Sequence, residues 1–158
     1  MFNDMLSLSS GGGSGTLESV RDMCKKAQSN SSYTQYPLSA YSSRVKDVTS
    51  DTGIAVDTTN KVCYIYAEFT ANGNQGGTSS YYGLLKSTAA STYLNPLMSS
   101  SGETARQTHL MTDPSSTQNK IFGVIMFGAD STLGIASMYG QTITSGDKYI
   151  VYGTWQYV

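Results

Sequence analysis

The chain carries a single histidine, His109, and two cysteines, Cys24 and Cys63, and these three side chains bound the chemistry open to it. A Ser–His–Asp relay would have to run through His109, with an aspartate holding its tautomer. The nucleophile elbow Gly-x-Ser-x-Gly that presents such a serine does not occur. The nearest spacing, Gly11-Gly12-Gly13-Ser14-Gly15, reads as flexible coil and not as a strand–turn–helix corner. A lone histidine in a strand-like run is more often a structural or partly exposed residue. One histidine and two distant thiols also make a poor zinc set, and no Cys-x-x-Cys occurs. Two buried thiols are the simpler reading.

The carboxylates offer two further chemistries. Asp113, Asp130 and Asp147 fall in turn-like segments and would bind calcium if the fold gathered them at one end, although turn aspartates usually satisfy nearby backbone N–H groups. A glycosidase needs two carboxyl groups at a fixed separation, one of them with a raised pKa. Only Glu68, on the mixed face of a strand, has an apolar setting of that kind, and a paired surface carboxylate accounts for it equally well. The glycine-rich segments lack the Lys-Ser/Thr continuation of a phosphate-cradling loop. The expectation is therefore no catalytic residue, no metal and no cofactor, with carbohydrate-active enzymology as the minor alternative. The aromatic inventory is more suggestive. Tyr81, Tyr82, Tyr93, Trp155 and Tyr157 lie at loops and strand ends, where an apolar ring with a polar tip suits sugar stacking or a protein interface. Core packing explains any one of them as well.

The elements that would hold these residues are mainly β. Of 158 residues 39% are apolar and only 13% charged, and 16 Gly with 12 Tyr favour strands joined by polar turns. The net charge is −1 and the ten basic residues are dispersed, which leaves no stripe for a run of phosphates and argues against nucleic acid. No apolar run reaches the roughly 20 residues of a membrane span, so no membrane insertion is expected. Residues 61–71 give the clearest strand, with Cys63, Ile65, Ala67 and Phe69 on a core face and Val62, Tyr64, Tyr66 and Glu68 on the other. That second face is free for solvent or for an oligomer contact. Residues 119–128, 132–138 and 148–158 form three terminal strands closed by turns. With shorter runs at 44–48, 53–57, 81–85 and 105–111, the pattern predicts about eight strands at roughly ten-residue spacing and an antiparallel, jelly-roll-like β-sandwich.

Ahead of the sandwich, taken as residues 44–158, the chain divides in two. Residues 1–15 form a flexible anchor and linker, in which Phe2, Met5, Leu6 and Leu8 make an apolar plug on a Gly/Ser tether. Residues 16–43 hold a short helix, 16–29, and a polar, Tyr-rich extended connector. Leu17, Val20, Cys24 and Ala27 make one narrow stripe on that helix, which fits either a short coiled-coil seam, under two heptads and so setting no oligomer state, or packing against the parent domain.

Two features resemble bacteriophage virion proteins. Met1-Phe2-Asn3-Asp4-Met5-Leu6 with its Gly/Ser run resembles the amino-terminal anchors of small fibre and tail-associated proteins. From Cys63 to Val158 the chain resembles the carboxy-terminal β-sandwich of fibre tips and receptor-binding proteins. The order there is the strand ending at Phe69, then Gly83-Leu84-Leu85, Tyr93-Leu94-Asn95-Pro96 and the terminus Tyr149-Ile150-Val151-Tyr152-Gly153-Thr154-Trp155-Gln156-Tyr157. The resemblance implies a non-enzymatic tail fibre or tip, assembled in the host cytoplasm and located on the virion. It implies a homotrimer that binds other tail or capsid proteins through its amino terminus and a host-surface glycan or protein through the sandwich. A capsid decoration protein with no receptor role is the alternative within the same class.

Overall fold

The computed structural model describes residues 15–41, 43–74, 82–94, 109–113, 120–127, 131–137 and 142–158. The chain is mainly antiparallel β. In order, the described elements are α1 (Gly15–Ala27), β1 (Thr34–Ala40), β2 (Val45–Lys46), β3 (Gly53–Asp57), β4 (Val62–Ala71), β5 (Tyr82–Ser87), α2 (Ser91–Leu94), β6 (His109–Asp113), β7 (Lys120–Phe127), β8 (Thr132–Ser137) and β9 (Lys148–Gln156). The expected strands all have a counterpart here, with ends shifted by a few residues. Residues 30–43 differ: what reads as a connector contains β1, paired with β3 through Thr34–Pro37 and with β5 through Leu38–Ala40.

The ladders draw one ring instead of two separately edged sheets. The order β4-β3-β1-β5-β8-β7-β6-β9 returns to β4, because β4 and β9 pair from Val62↔Gln156 to Thr70↔Lys148. The two residues of β2 extend the ring beside Ala71 and Thr70. Closure leaves β9 paired on both edges, with β4 and β6, so the last strand offers no open ladder to other chains. Register shifts at Gly83/Leu85, Met111/Thr112 and Val124/Ile125 mark bulges, which bend strands enough to close a ring. The first of these lets the consecutive Leu84 and Leu85 both be buried.

Strand alternation fills the ring. Cys63, Ile65, Ala67 and Phe69 of β4 point inward opposite Trp155, Gly153, Val151 and Tyr149 of β9, and Val56 and Ile54 of β3 complete two of those rows. Leu38, Leu85, Leu94 and Leu133 join the same core. A ring of eight strands has just enough interior for side chains, and two of the large ones here, Phe69 and Tyr149, pack with ring centroids 6.0 Å apart. The Tyr149 hydroxyl accepts the Thr144 N–H at 2.9 Å.

The β3–β4 turn is held by Asp57. Its carboxylate accepts the N–H groups of Thr59 and Asn60, both at 3.0 Å, and the Asn60 side-chain amide at 2.7 Å. These bonds, the Asn60 side chain first, hold the Asp57 pKa below its ordinary value. The charged form is therefore favoured by folding. Its contribution is complete above the unfolded value of about 4 and is lost as pH falls through the lower folded value. Asp57→Ala is expected to cost about 1–2 kcal/mol at pH 7. The deficit relative to wild type should shrink below pH 4 in urea titrations followed by circular dichroism.

Candidate functional site

The sequence-selected aromatics separate into groups. Tyr81 lies outside the described residues, as do Phe2, Met5, Leu6 and Leu8, and Tyr82 opens β5 opposite Ile135. Tyr93, Trp155 and Tyr157 are brought together at one end of the ring. Tyr93, on α2, meets Tyr157 edge-on at 4.8 Å and Tyr36 of β1 at 5.7 Å. The Trp155 indole N–H donates to the Tyr93 carbonyl, and the Cys63 thiol reaches the same oxygen at 3.9 Å. Trp155 is only 3% exposed, so it is a core residue and not a platform open to a ligand. Burial raises the Tyr36 and Tyr157 pKa values, with the neighbouring Tyr93 adding to it. These rings close the end of the ring by packing on one another.

Among the described residues the candidate enzymatic groups lie on separate elements. His109 opens β6 opposite Ile125, and Glu68 lies on β4, where its carboxylate accepts the Tyr66 hydroxyl at 2.9 Å. Asp113 is the last residue of β6, paired with Lys120, and Asp130 lies outside the described residues. Among the described residues no group of His, Cys, Asp and Glu is placed to hold a metal ion. Cys24 and Cys63 are both buried and unlinked, and burial pushes each thiol up to about 12.

The outer face of the β4–β9 pair is where the chain builds a surface. The expectation left this face to solvent or to another chain. It is covered by α1 of the same chain: Cys24, with Val20 beside it, packs on Tyr66, Ile150, Tyr152 and Tyr64. Cys24 and Ala27 are buried, so the described part of the stripe read as a coiled-coil seam faces its own sheet. Polar contacts fix the docking. The Cys24 thiol donates to the Gly153 carbonyl at 3.3 Å, and the Gln28 amide donates to Cys24 and Tyr64 carbonyls at 3.1 and 3.2 Å. Lys25 pairs with Asp51 at 3.2 Å and lies 5.3 Å over the Tyr66 ring. The packing is close at Gly53, where a Cβ would stand 3.0 Å from the Gln28 side-chain oxygen and 3.1 Å from the Tyr36 carbonyl.

Beside this docked helix runs an open groove of about 550 Å³. Its helical wall is Asp22, Met23, Lys26 and Ala27, and its other wall is Tyr33 and Tyr64. The two rings are stacked, with centroids 5.5 Å apart and planes within 6°. Burial, then the neighbouring Tyr33, pushes the Tyr64 hydroxyl up to about 12. Tyr33 escapes a sequence reading because it stands in a polar segment far from Tyr64. The density of tyrosine in residues 33–41 marks the segment as Tyr-rich but does not give Tyr33 its partner.

Scans against family models, curated proteins and solved structures return no match for this chain.

Proposed function

We propose that the chain is a non-enzymatic structural protein of a phage virion, a short fibre or tail tip that acts through the outer surface of a rigid β body. The observation that carries the reading is the filling of the ring. Tyr66 aside, its largest fully buried side chains, Tyr149, Phe69, Ile54, Ile65, Leu85, Leu94 and Leu133, all belong to the one apolar core. Recognition then falls to loops and outward strand faces, as in modules that bind by shape. The helix docked on the β4–β9 face supports it further, because it gives a tethered amino-terminal segment a fixed point of departure from the body.

Light scattering on the full chain tests the assembly. A trimeric tip gives three times the 16.9 kDa chain mass, with contacts outside the Cys24–Ala27 face. A stable monomer at micromolar concentration counts against a tip. Fluorescently labelled chain mixed with bacterial cells tests attachment, and saturable retention on a subset of strains is the expected result.

A further inference from the structure

We propose that the groove between α1 and the stacked Tyr33–Tyr64 pair is a saccharide-binding site. The inference rests on the attachment reading above and gives that surface a place and a ligand class. The groove's volume, about 550 Å³, lies within the roughly 300–1,000 Å³ of small-ligand sites. A sugar presents two chemistries at once, a patch of C–H groups on a ring face and hydroxyls around the edge. The groove has both counterparts. The stacked Tyr33 and Tyr64 rings line one wall, and Met23 and Ala27 continue the apolar lining.

The polar groups are arranged for hydroxyls. Asp22 and Lys26 stand one helical turn apart on the facing wall, both exposed. Among the described residues neither is engaged in an ion pair, while the adjacent Lys25 is taken by Asp51. A carboxylate accepts from two hydroxyls and an ammonium donates to ring or hydroxyl oxygens. Asn30 completes the rim. Its side-chain oxygen already accepts the Ser32 N–H at 2.9 Å, which turns its amide N–H donors to other use. One acid and one base in so small a space fit a neutral, many-hydroxyl ligand better than a polyanion, which the acid would repel.

The test offers the full chain to an array of immobilised bacterial surface polysaccharides and short oligosaccharides, with hits titrated by calorimetry. Wild type should bind at least one glycan. Tyr33→Ala, and the double change Asp22→Asn with Lys26→Gln, should each weaken that binding by about tenfold or more. Lys86→Gln, at an exposed position of β5 away from the groove, should leave it near wild type. Asp22 and Lys26 are exposed, so their double variant should melt with wild type in circular dichroism, which separates lost binding from lost fold. Glycan binding at full strength in both groove variants overturns the site, and no binding to any glycan overturns the ligand class. Retention of the labelled chain on cells in either case leaves the attachment reading standing, and loss of retention in wild type removes that reading independently.

Discussion

Trp155→Ala is expected to lower the unfolding free energy by about 3–5 kcal/mol, the usual range for emptying a large aromatic site in a core. The indole is 3% exposed, sits in the row Val56, Cys63, Trp155 across three paired strands, and belongs to the main core. Its removal leaves a cavity beneath α2 and takes away the N–H that the Tyr93 carbonyl accepts. Trp155→Phe keeps most of the volume and loses that hydrogen bond, so it should cost less, about 1–2 kcal/mol. Domains of this size have only about 5–15 kcal/mol to lose. The alanine variant should therefore show a much lower urea midpoint by far-ultraviolet circular dichroism, a probe that does not depend on the chain's only tryptophan. A loss below 1 kcal/mol would mean that the end of the ring is not packed around this side chain. The variant also separates the two roles read from the sequence for Trp155: a ligand platform would lose binding with little loss of stability.

The residues that were legible in the sequence are those whose burial is set by local alternation. In β4 the odd positions from Cys63 to Phe69 are core and the even positions face outward, as period two dictates. β7 and β9 announce themselves by length and apolar content. β1 was not legible, because only Leu38 of its seven residues is buried and Pro37 argues against a strand. The ladder shows how the proline is tolerated. The Leu38 N–H donates toward β3, to the Thr52 carbonyl, and the Tyr41 N–H donates toward β5, to the Leu84 carbonyl. Alternation then directs position 37 toward β5, where pairing begins only at Leu38, so no ladder bond is lost there.

Ring closure was equally hidden. It rests on β4 pairing with β9 and β1 with β5, contacts between distant segments that no window of sequence contains. The groove has the same origin. Tyr64 was visible as an outward residue of β4, but its partner Tyr33 becomes meaningful only once β1 and α1 are folded back against the sheet.

The stripe on α1 was visible too, and what it covers decides the second large effect. Cys24→Asp is expected to undock α1. Cys24 is fully buried among Tyr66, Ile150 and Tyr152, and its thiol donates to a carbonyl. A carboxylate there would face the Gly153 oxygen with no donor to offer, inside a cluster of aromatic and aliphatic side chains. Burying a charge in such a setting costs about 3–5 kcal/mol, which the helix avoids by leaving the sheet. Cys24→Ser keeps a small donor at the same place and should cost about 1 kcal/mol. Amide hydrogen exchange distinguishes the outcomes. In Cys24→Asp, residues 24–30 should exchange freely while Cys63, Ile65 and Ala67 stay protected, because β4 is held in the ring by β3 and β9 without the helix. The freed face carries Tyr64, Tyr66, Ile150 and Tyr152, an apolar patch large enough to bind a hydrophobic dye or drive association. Persisting protection across residues 24–30 would show that other contacts, such as Gln28 on the Tyr64 carbonyl and Lys25 on Asp51, hold the helix without the Cys24 face. Undocking would also remove one wall of the groove, so the same variant should lose any ligand held between α1 and Tyr33, whereas Cys24→Ser should keep it.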